Sequence, residues 1–372
     1  MPMNSDNFAS WLEVDLRTLE KNYRILHEWT HTPIMPIVKA NAYGHGLEEV
    51  TRTLEKAGAG WCGVARIEEA LILRQAGIRM NILVLGYTAP QRVQDAIRNQ
   101  ISLTIYDPLL IQPYALQAKA AGHDLKIQVK IDTGMGRLGI PVEKAMEFIQ
   151  AVRATPQFYL QGVFTHFACA DEPAKPFTAD QLNKFTFVVN ELLSSGIKPD
   201  MLHSANSAAA INLPDSRLDI IRSGIALYGL SPSKETPLPE GIKPAMAWKT
   251  RITSVKLLPA GHGVSYGFKY ITKKQERIGV IAAGYGDGLR RQEGNMVLIH
   301  GKHVPVIGNV CMDQCMVQLD QIPEARVGDD VVLFGKQDQD EITATEISEK
   351  WNTINYEVIC AMAARMPRHY IY

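Results

Sequence analysis

The chain has no charge of one sign to spare. Lysine plus arginine and aspartate plus glutamate each total 39 of its 372 residues, so no net field draws it to DNA, RNA or an anionic membrane, although local basic sites are still allowed. Nor does it have a run of about 18 uninterrupted apolar residues or a basic start followed by an apolar stretch, which argues against a membrane span and a secretory leader and makes the cytoplasm the expected location. Cysteine is sparse: Cys62, Cys169, Cys311, Cys315 and Cys360 are odd in number, scattered and without a Cys-x-x-Cys pair. That disfavours a disulfide scaffold and a structural zinc site, and no metal site is expected. Cys311 and Cys315 suggest one face of a strand and read as core or surface thiols. Internal repeats, low-complexity tracts and a Gly-x-Gly-x-x-Gly loop after a first strand are also missing, the last speaking against a doubly wound nucleotide fold.

What is present is an ordinary enzyme-sized composition, 46% hydrophobic and 21% charged, with enough chain for two domains. Eight strand-like runs follow one another at 34-38, 61-65, 82-86, 101-105, 125-131, 160-166, 200-204 and 219-222. Helical stretches such as Leu47 to Ala57, Ile67 to Gln75, Pro108 to Ala121, Val142 to Ala154 and Phe177 to Leu193 separate most of them. This rhythm predicts an α/β fold opening with a TIM-like (β/α)8 barrel over 1-240. After Gly229 a Pro-rich polar segment, 231-241, reads as a connection. Beyond it strands between glycine turns predict a mostly β C-terminal domain over 241-372.

The most informative segment is Pro36-Ile-Val-Lys-Ala-Asn-Ala-Tyr-Gly-His-Gly46. Ile34, Met35, Ile37 and Val38 suit a buried strand, and Gly44 and Gly46 open a turn before helical spacing begins at Leu47. Lys39 therefore stands where the strand ends. A lysine amine held there can form a Schiff base with an aldehyde cofactor, and the alternative is a strand-terminal lysine whose ammonium sits in water.

This segment resembles the cofactor-binding signature of the alanine racemases, which interconvert L- and D-alanine with pyridoxal 5'-phosphate. The resemblance continues through Ile131-Asp-Thr-Gly-Met-Gly-Arg-Leu-Gly139, His203-Ser-Ala-Asn-Ser207, Val264-Ser-Tyr-Gly267, Ala283-Gly-Tyr-Gly-Asp-Gly288 and Val310-Cys-Met-Asp-Gln314, and covers essentially the whole chain. It implies the barrel plus β domain and a head-to-tail homodimer in which each site takes residues from both chains. Lys39 would bind the cofactor and serve as the base for D-alanine; Tyr266, from the other subunit, would serve L-alanine from the opposite face. Both side chains titrate near 10 when unperturbed, so the site must favour their basic forms.

Ser207, after the seventh strand and before a helical start, and the Gly224 and Ile225 N–H groups after the eighth stand where a barrel binds a phosphate, and the resemblance implies that Tyr43 and Tyr356 approach it as well. On local pattern alone Ser207 also reads as a helix cap and the tyrosines as packed rings. Arg222 is implied to face the pyridine nitrogen with His166 in support, and His203 to contact Tyr266. Arg137 is implied at the substrate carboxylate, its other reading being a solvent-facing loop residue, and Lys130 at a position where the family often has a carbamylated lysine, its other reading a strand lysine reaching water. Tyr285, Met312 and Asp313 are implied at the entrance or substrate pocket. Gly286 and Ser204 depart locally from the family pattern and bear on packing there. The expected reaction is racemisation of alanine by two-base proton transfer at Cα of the external aldimine, supplying D-alanine for peptidoglycan. A barrel decarboxylase, a cofactor carrier and a catalytically silent scaffold are the alternatives; the pairing of Lys39 with Tyr266, and Arg222 at the ring, favour the racemase.

Overall fold

The computed structural model describes residues 7–372, and the chain divides into two compact units. One spans Thr18–Ala42 and Gly46–Lys243. The strands of this unit are β2 (Ile34–Pro36), β3 (Trp61–Val64), β4 (Asn81–Val84), β5 (Ile101–Ile105), β6 (Leu125–Asp132), β7 (Phe158–Phe164), β8 (Met201–His203) and β9 (Ile221–Ser223). Neighbours run parallel in chain order from β3 to β8, and β9 pairs parallel with β2. Two joints complete the ring. The Ile37–Gly63 bridge ties the end of β2 to β3, and Arg222 N–H donates to the Ala205 carbonyl at 3.0 Å between β9 and the segment after β8. The eight-stranded barrel expected from the strand rhythm is therefore closed.

Every residue of β5 is buried, as a parallel strand between a packed interior and a helical coat requires. Helices Leu47–Lys56, Ile67–Gln75, Ile111–Ala121, Ala145–Ala154 and Phe177–Ser194 lie where the apolar spacing put them. Leu47, Val50 and Leu54 illustrate the rule: three or four residues apart, they form the buried stripe of their helix.

The second unit holds Pro244–Tyr372 together with the N-terminal strand β1 (Ser10–Asp15) and Tyr43–His45. Its strands β10 (Met246–Leu258), β11 (Glu276–Ile281), β12 (Met296–Ile299), β13 (Lys302–Ile307), β14 (Cys315–Gln318) and β15 (Asp330–Gln337) pair antiparallel in a ring. Its order is β10-β11-β14-β13-β12-β15 and back to β10. Closure leaves these strands without an exposed edge. The thirteen-residue β10 can serve both β11 and β15 because its register shifts at Trp248/Lys249 and again at Ile252/Ser254. Cys315 opens β14 and is buried, but Cys311 lies in the loop before it and is half-buried, so the two do not share a strand face. Among the described residues no His, Cys, Asp and Glu group could hold a metal, and no helix is long and apolar enough to cross a membrane.

Candidate active site

Lys39 stands three residues beyond the first barrel strand, after the Ile37 bridge and Val38, and the backbone beyond it turns the unusual way. Ala40, Asn41, Ala42 and Tyr43 all have φ between 51° and 55°, a left-handed turn costing roughly 1–2 kcal/mol per residue for L-amino acids. Specific bonds hold it. The Ala40 N–H donates to Glu69 Oε1 at 2.6 Å, while Glu69 Oε2 accepts from the Ala65 and Arg66 N–H groups at 2.8 and 3.2 Å. Ala42 N–H returns to the Val38 carbonyl at 2.8 Å, and Asn41 Oδ1 accepts from Leu47 N–H at 2.8 Å. Gly44 needs its small size: with φ at 83°, a Cβ there would meet the Ile359 carbonyl oxygen.

At the same end of the barrel Arg222, the middle residue of β9, is buried and distributes its donors widely. Nη1 lies 2.6 Å from His203 Nδ1; Nη2 donates to the Thr165 and Ser204 carbonyls at 2.6 and 2.8 Å and lies 3.3 Å from His166 Nδ1. Its guanidinium also rests over the Phe164 ring, 5.3 Å from the centroid. Nε is bonded to no group among the described residues, which leaves a fixed N–H there for a ligand. An arginine has no acceptor, so His203 Nδ1, 2.6 Å from Nη1, must be unprotonated, while the two hydrogens of Nη2 serve the nearer Thr165 and Ser204 carbonyls. His203 Nε2 then carries the hydrogen donated to Gln128 Oε1 at 2.7 Å. Burial first, and Arg222 second, hold both imidazoles well below the ordinary histidine pKa.

This arrangement corrects the role implied for His203. Its ring is fully buried, stacked on Phe164 with centroids 4.7 Å apart, and both nitrogens are used within the barrel. No ring nitrogen is left for the hydroxyl of Tyr266. His166 is half-buried and has only Nδ1 engaged among the described residues.

Lys130, on β6, is 5% exposed, so it does not reach water as an ordinary strand lysine would. Burial, followed by Arg137, Arg222 and Lys39, lowers its pKa to about 8, with Asp132 opposing. Asp132 is committed elsewhere: its carboxylate accepts from the Gly134, Met135 and Gly136 N–H groups at 2.9–3.1 Å, shaping the loop that presents Arg137. Three further basic side chains, Lys39, Arg137 and Arg222, thus act on Lys130, and the Asp132 carboxylate that opposes them is occupied by backbone N–H groups. Such a donor set calls for an anionic ligand.

Ser207 is the first residue of the helix Ser207–Asn212, and Asn206 caps it, its Oδ1 accepting from Ala209 N–H at 2.9 Å. The Ser207 hydroxyl instead accepts from Gly224 N–H at 2.8 Å, bringing the loops after β8 and β9 together. Ile225 follows, buried. The Ser204 departure is accommodated by a 2.6 Å bond from its hydroxyl to the Ser216 carbonyl.

In the second unit Tyr43 and Tyr356 have ring centroids 6.3 Å apart, and burial raises the Tyr43 phenol pKa. Tyr266 is 70% exposed on the bend between the paired segments Gly263–Val264 and Tyr270–Ile271. Tyr285 and Met312 are exposed together: Tyr285 N–H donates to the Cys311 carbonyl at 3.0 Å and Gly286 N–H to that of Met312 at 2.8 Å. A Cβ at Gly286 would stand 2.6 Å from Arg365 Nη2, and Arg365 bonds both Asp287 and Asp313 at 2.8 Å. Glycine at 286 therefore makes room for the arginine that fixes Asp313. Sequence reasoning missed Glu69, Gln128 and Arg365. Glu69 carries a helix-start signature and Gln128 is a polar residue in an apolar strand; neither signal says what the side chain meets.

A strand-end lysine in a closed parallel barrel, a mouth of basic groups and a following ring-like β unit place the chain in a pyridoxal-phosphate-binding fold class. Residues 14–232 match the family "alanine racemase, N-terminal domain" and residues 245–370 "alanine racemase, C-terminal domain". The chain belongs to the alanine racemase family. It is 41% identical over 365 residues to alanine racemase of Desulfovibrio desulfuricans, covering 97% of this chain and 98% of that one. The solved alanine racemase of Clostridium difficile 630 superposes with a TM-score of 0.92 at 39% identity, covering 98% and 96% of the two chains. A histidine racemase from Leuconostoc mesenteroides subsp. sake, at 30% identity and TM-score 0.91 with 99% and 100% coverage, shows that this architecture is not restricted to one side chain.

Proposed function

We propose that the chain is a pyridoxal-phosphate-dependent alanine racemase that interconverts L- and D-alanine, working in the cytoplasm as a homodimer and supplying D-alanine for peptidoglycan. The observation that carries this reading is Lys39 just beyond the first barrel strand, within electrostatic reach of Lys130 and of His166 beside Arg222. When bound, pyridoxal phosphate supplies an electrophilic aldehyde and an electron-withdrawing ring that acidifies the Cα–H bond of an attached amino acid.

Lys39 would hold the cofactor and be released when the substrate amine takes its place. The left-handed turn after it would fix the backbone from which its side chain departs. Arg222 would face the ring nitrogen with its remaining Nε–H. Because arginine keeps its proton, it would leave that nitrogen unprotonated and restrain the ring's electron demand, which would suit returning a proton to Cα rather than moving it elsewhere. Ser207, Gly224, Ile225, Tyr43 and Tyr356 would receive the phosphate. Arg137 would take the substrate carboxylate, steadied by a carbamylated Lys130 whose negative charge relieves the excess of basic groups. Tyr266 from the other subunit would remove the L-alanine Cα proton while Lys39 delivers one to the opposite face, and the reverse reaction exchanges their roles. Of the two histidines, His166 keeps a nitrogen with which to meet the tyrosine hydroxyl. Tyr285, Met312 and the Arg365-bound Asp313 would line the approach.

The reading is tested by chiral analysis of products from separate L-alanine, D-alanine, L-serine and L-histidine incubations with cofactor present. Racemic alanine from either enantiomer, formed faster than racemic serine or histidine, is expected. Loss of carbon dioxide, or no enantiomer change with alanine, would overturn it.

A further inference from the structure

The bend that presents Tyr266 is strained at the preceding residue. Ser265 has φ 65° and ψ −177°, a combination in which essentially only glycine is comfortable and which costs about 1–3 kcal/mol for other residues. Gly267 and Phe268 follow with φ of 71° and 47°. This backbone is held from a neighbouring loop. The Ser265 hydroxyl donates to the Asn309 carbonyl at 2.6 Å, with Cys311 Sγ a further 3.5 Å contact, and the Asn309 side-chain amide donates to the Tyr266 carbonyl, also at 2.6 Å. Gly308, at φ 67°, lets that loop come close: a Cβ there would stand 2.8 Å from the Val264 carbonyl oxygen and 3.0 Å from Ser265 Cβ.

We propose that Asn309 is a positioning residue for Tyr266, holding the Ser265 hydroxyl with its own carbonyl and the Tyr266 carbonyl with its side-chain amide, and so setting the direction in which the phenol projects. The inference rests on the reading of Tyr266 as the base for L-alanine. With the ring 70% exposed and its backbone in a high-energy conformation, small changes in the grip swing the hydroxyl. A misplacement of about 1 Å at a reacting group can cost roughly a hundredfold in rate. Asn309 itself need not touch substrate.

The test compares Asn309→Asp, close to isosteric but without the amide donor, with Tyr266→Phe and with Asn309→Asp combined with Ser265→Gly. The holoenzymes are assayed for Cα-proton exchange into deuterated water from each alanine enantiomer, for KM and kcat, for Tm, and for backbone hydrogen exchange over residues 263–271. Asn309→Asp is expected to slow exchange of L-alanine by roughly tenfold to a hundredfold, to leave that of D-alanine within about twofold, to lower kcat with little change in KM, and to speed hydrogen exchange in 263–271. Ser265→Gly relieves the strain but also removes the hydroxyl that Asn309 holds, so L-alanine exchange should not recover in the double variant. Equal loss for both enantiomers, or recovery of L-alanine exchange on relieving the strain, would show a purely structural role and overturn the proposal. If Tyr266→Phe itself slows both enantiomers equally, the assignment of Tyr266 fails instead, and the two failures are told apart.

Discussion

Arg222 Nη1 and His203 Nδ1 are 2.6 Å apart in a fully buried pair, and the donor can only be the arginine. The histidine is thereby fixed as its Nε2–H form, and the polarity of the contact runs inward to Gln128. The barrel interior thus orients the one cation expected to face the cofactor ring.

A pH dependence of stability follows from this pairing. Both His203 and His166 have folded pKa values well below the ordinary 6.5, through burial first and Arg222 second. As pH falls below about 6.5 the unfolded chain takes up protons that the native rings refuse, so stability is lost toward lower pH, by about 1.4 kcal/mol per pH unit for each such group. His203→Gln, which keeps an acceptor for Arg222 and a donor for Gln128, should flatten the slope between pH 6.5 and 5 in denaturant titrations. An unchanged slope would refute the neutral assignment. His203→Phe, which takes from Arg222 Nη1 and Gln128 Oε1 the partner each has in the ring, should cost about 1–3 kcal/mol at each of those atoms.

Lys130 supports a second prediction. Carbamylation requires the neutral amine, which attacks carbon dioxide and releases a proton. With its pKa lowered to about 8, the fraction of neutral Lys130 rises through pH 8, whereas an unperturbed lysine is protonated there. Enzyme equilibrated with 13C-labelled carbon dioxide should show a carbamate resonance that grows with pH and is missing from Lys130→Ala. That variant should lose activity and regain part of it with a small carboxylic acid. A fully active Lys130→Ala variant, with no such resonance in the parent, would reject the account.

The left-handed turn after Lys39 should depend on Glu69. Its carboxylate alone accepts from three N–H groups, those of Ala40, Ala65 and Arg66. Glu69→Ala leaves each without that partner, and at about 1–3 kcal/mol for a buried unpaired donor, less where water reaches it, the turn should loosen. Borohydride reduction followed by peptide mass analysis should place the cofactor on Lys39 in the parent and show slower attachment in Glu69→Ala. Attachment to another lysine would overturn the assignment of Lys39. Equal attachment rates in parent and variant would remove Glu69 from the account.

Why the strands were legible and this turn was not comes down to where the forces act. The buried β5 residues Ile101 to Ile105 carry their own signal, as does the buried stripe of Leu47, Val50 and Leu54. Ala40, Ala42 and Tyr43 prefer right-handed backbone, and only bonds to distant groups such as Glu69 reverse that preference. The same holds for β1, whose Trp11, Leu12 and Val14 are buried without period-two alternation, and for the closure of β10 onto β15. Lys39 stood out because a charge ends an apolar run. His203 could not be separated from His166, since which of them keeps an available nitrogen is decided by Gln128 across the barrel.

The two-base assignment is open to test by subunit exchange. If Lys39 comes from one chain and Tyr266 from the other, mixing Lys39→Ala chains with Tyr266→Phe chains gives a heterodimer with one site that has both bases and one that has neither. Racemisation should reappear at up to about half the parent rate per dimer, against severe impairment in either homodimer; acid–base groups of this kind contribute roughly 10²–10⁴-fold. The Tyr266→Phe homodimer should still exchange the D-alanine Cα proton through Lys39 more readily than that of L-alanine, because only the face served by the phenol is lost. Verified heterodimers with no recovered activity would count against a shared site, and equal loss of exchange from both enantiomers would count against the assigned handedness.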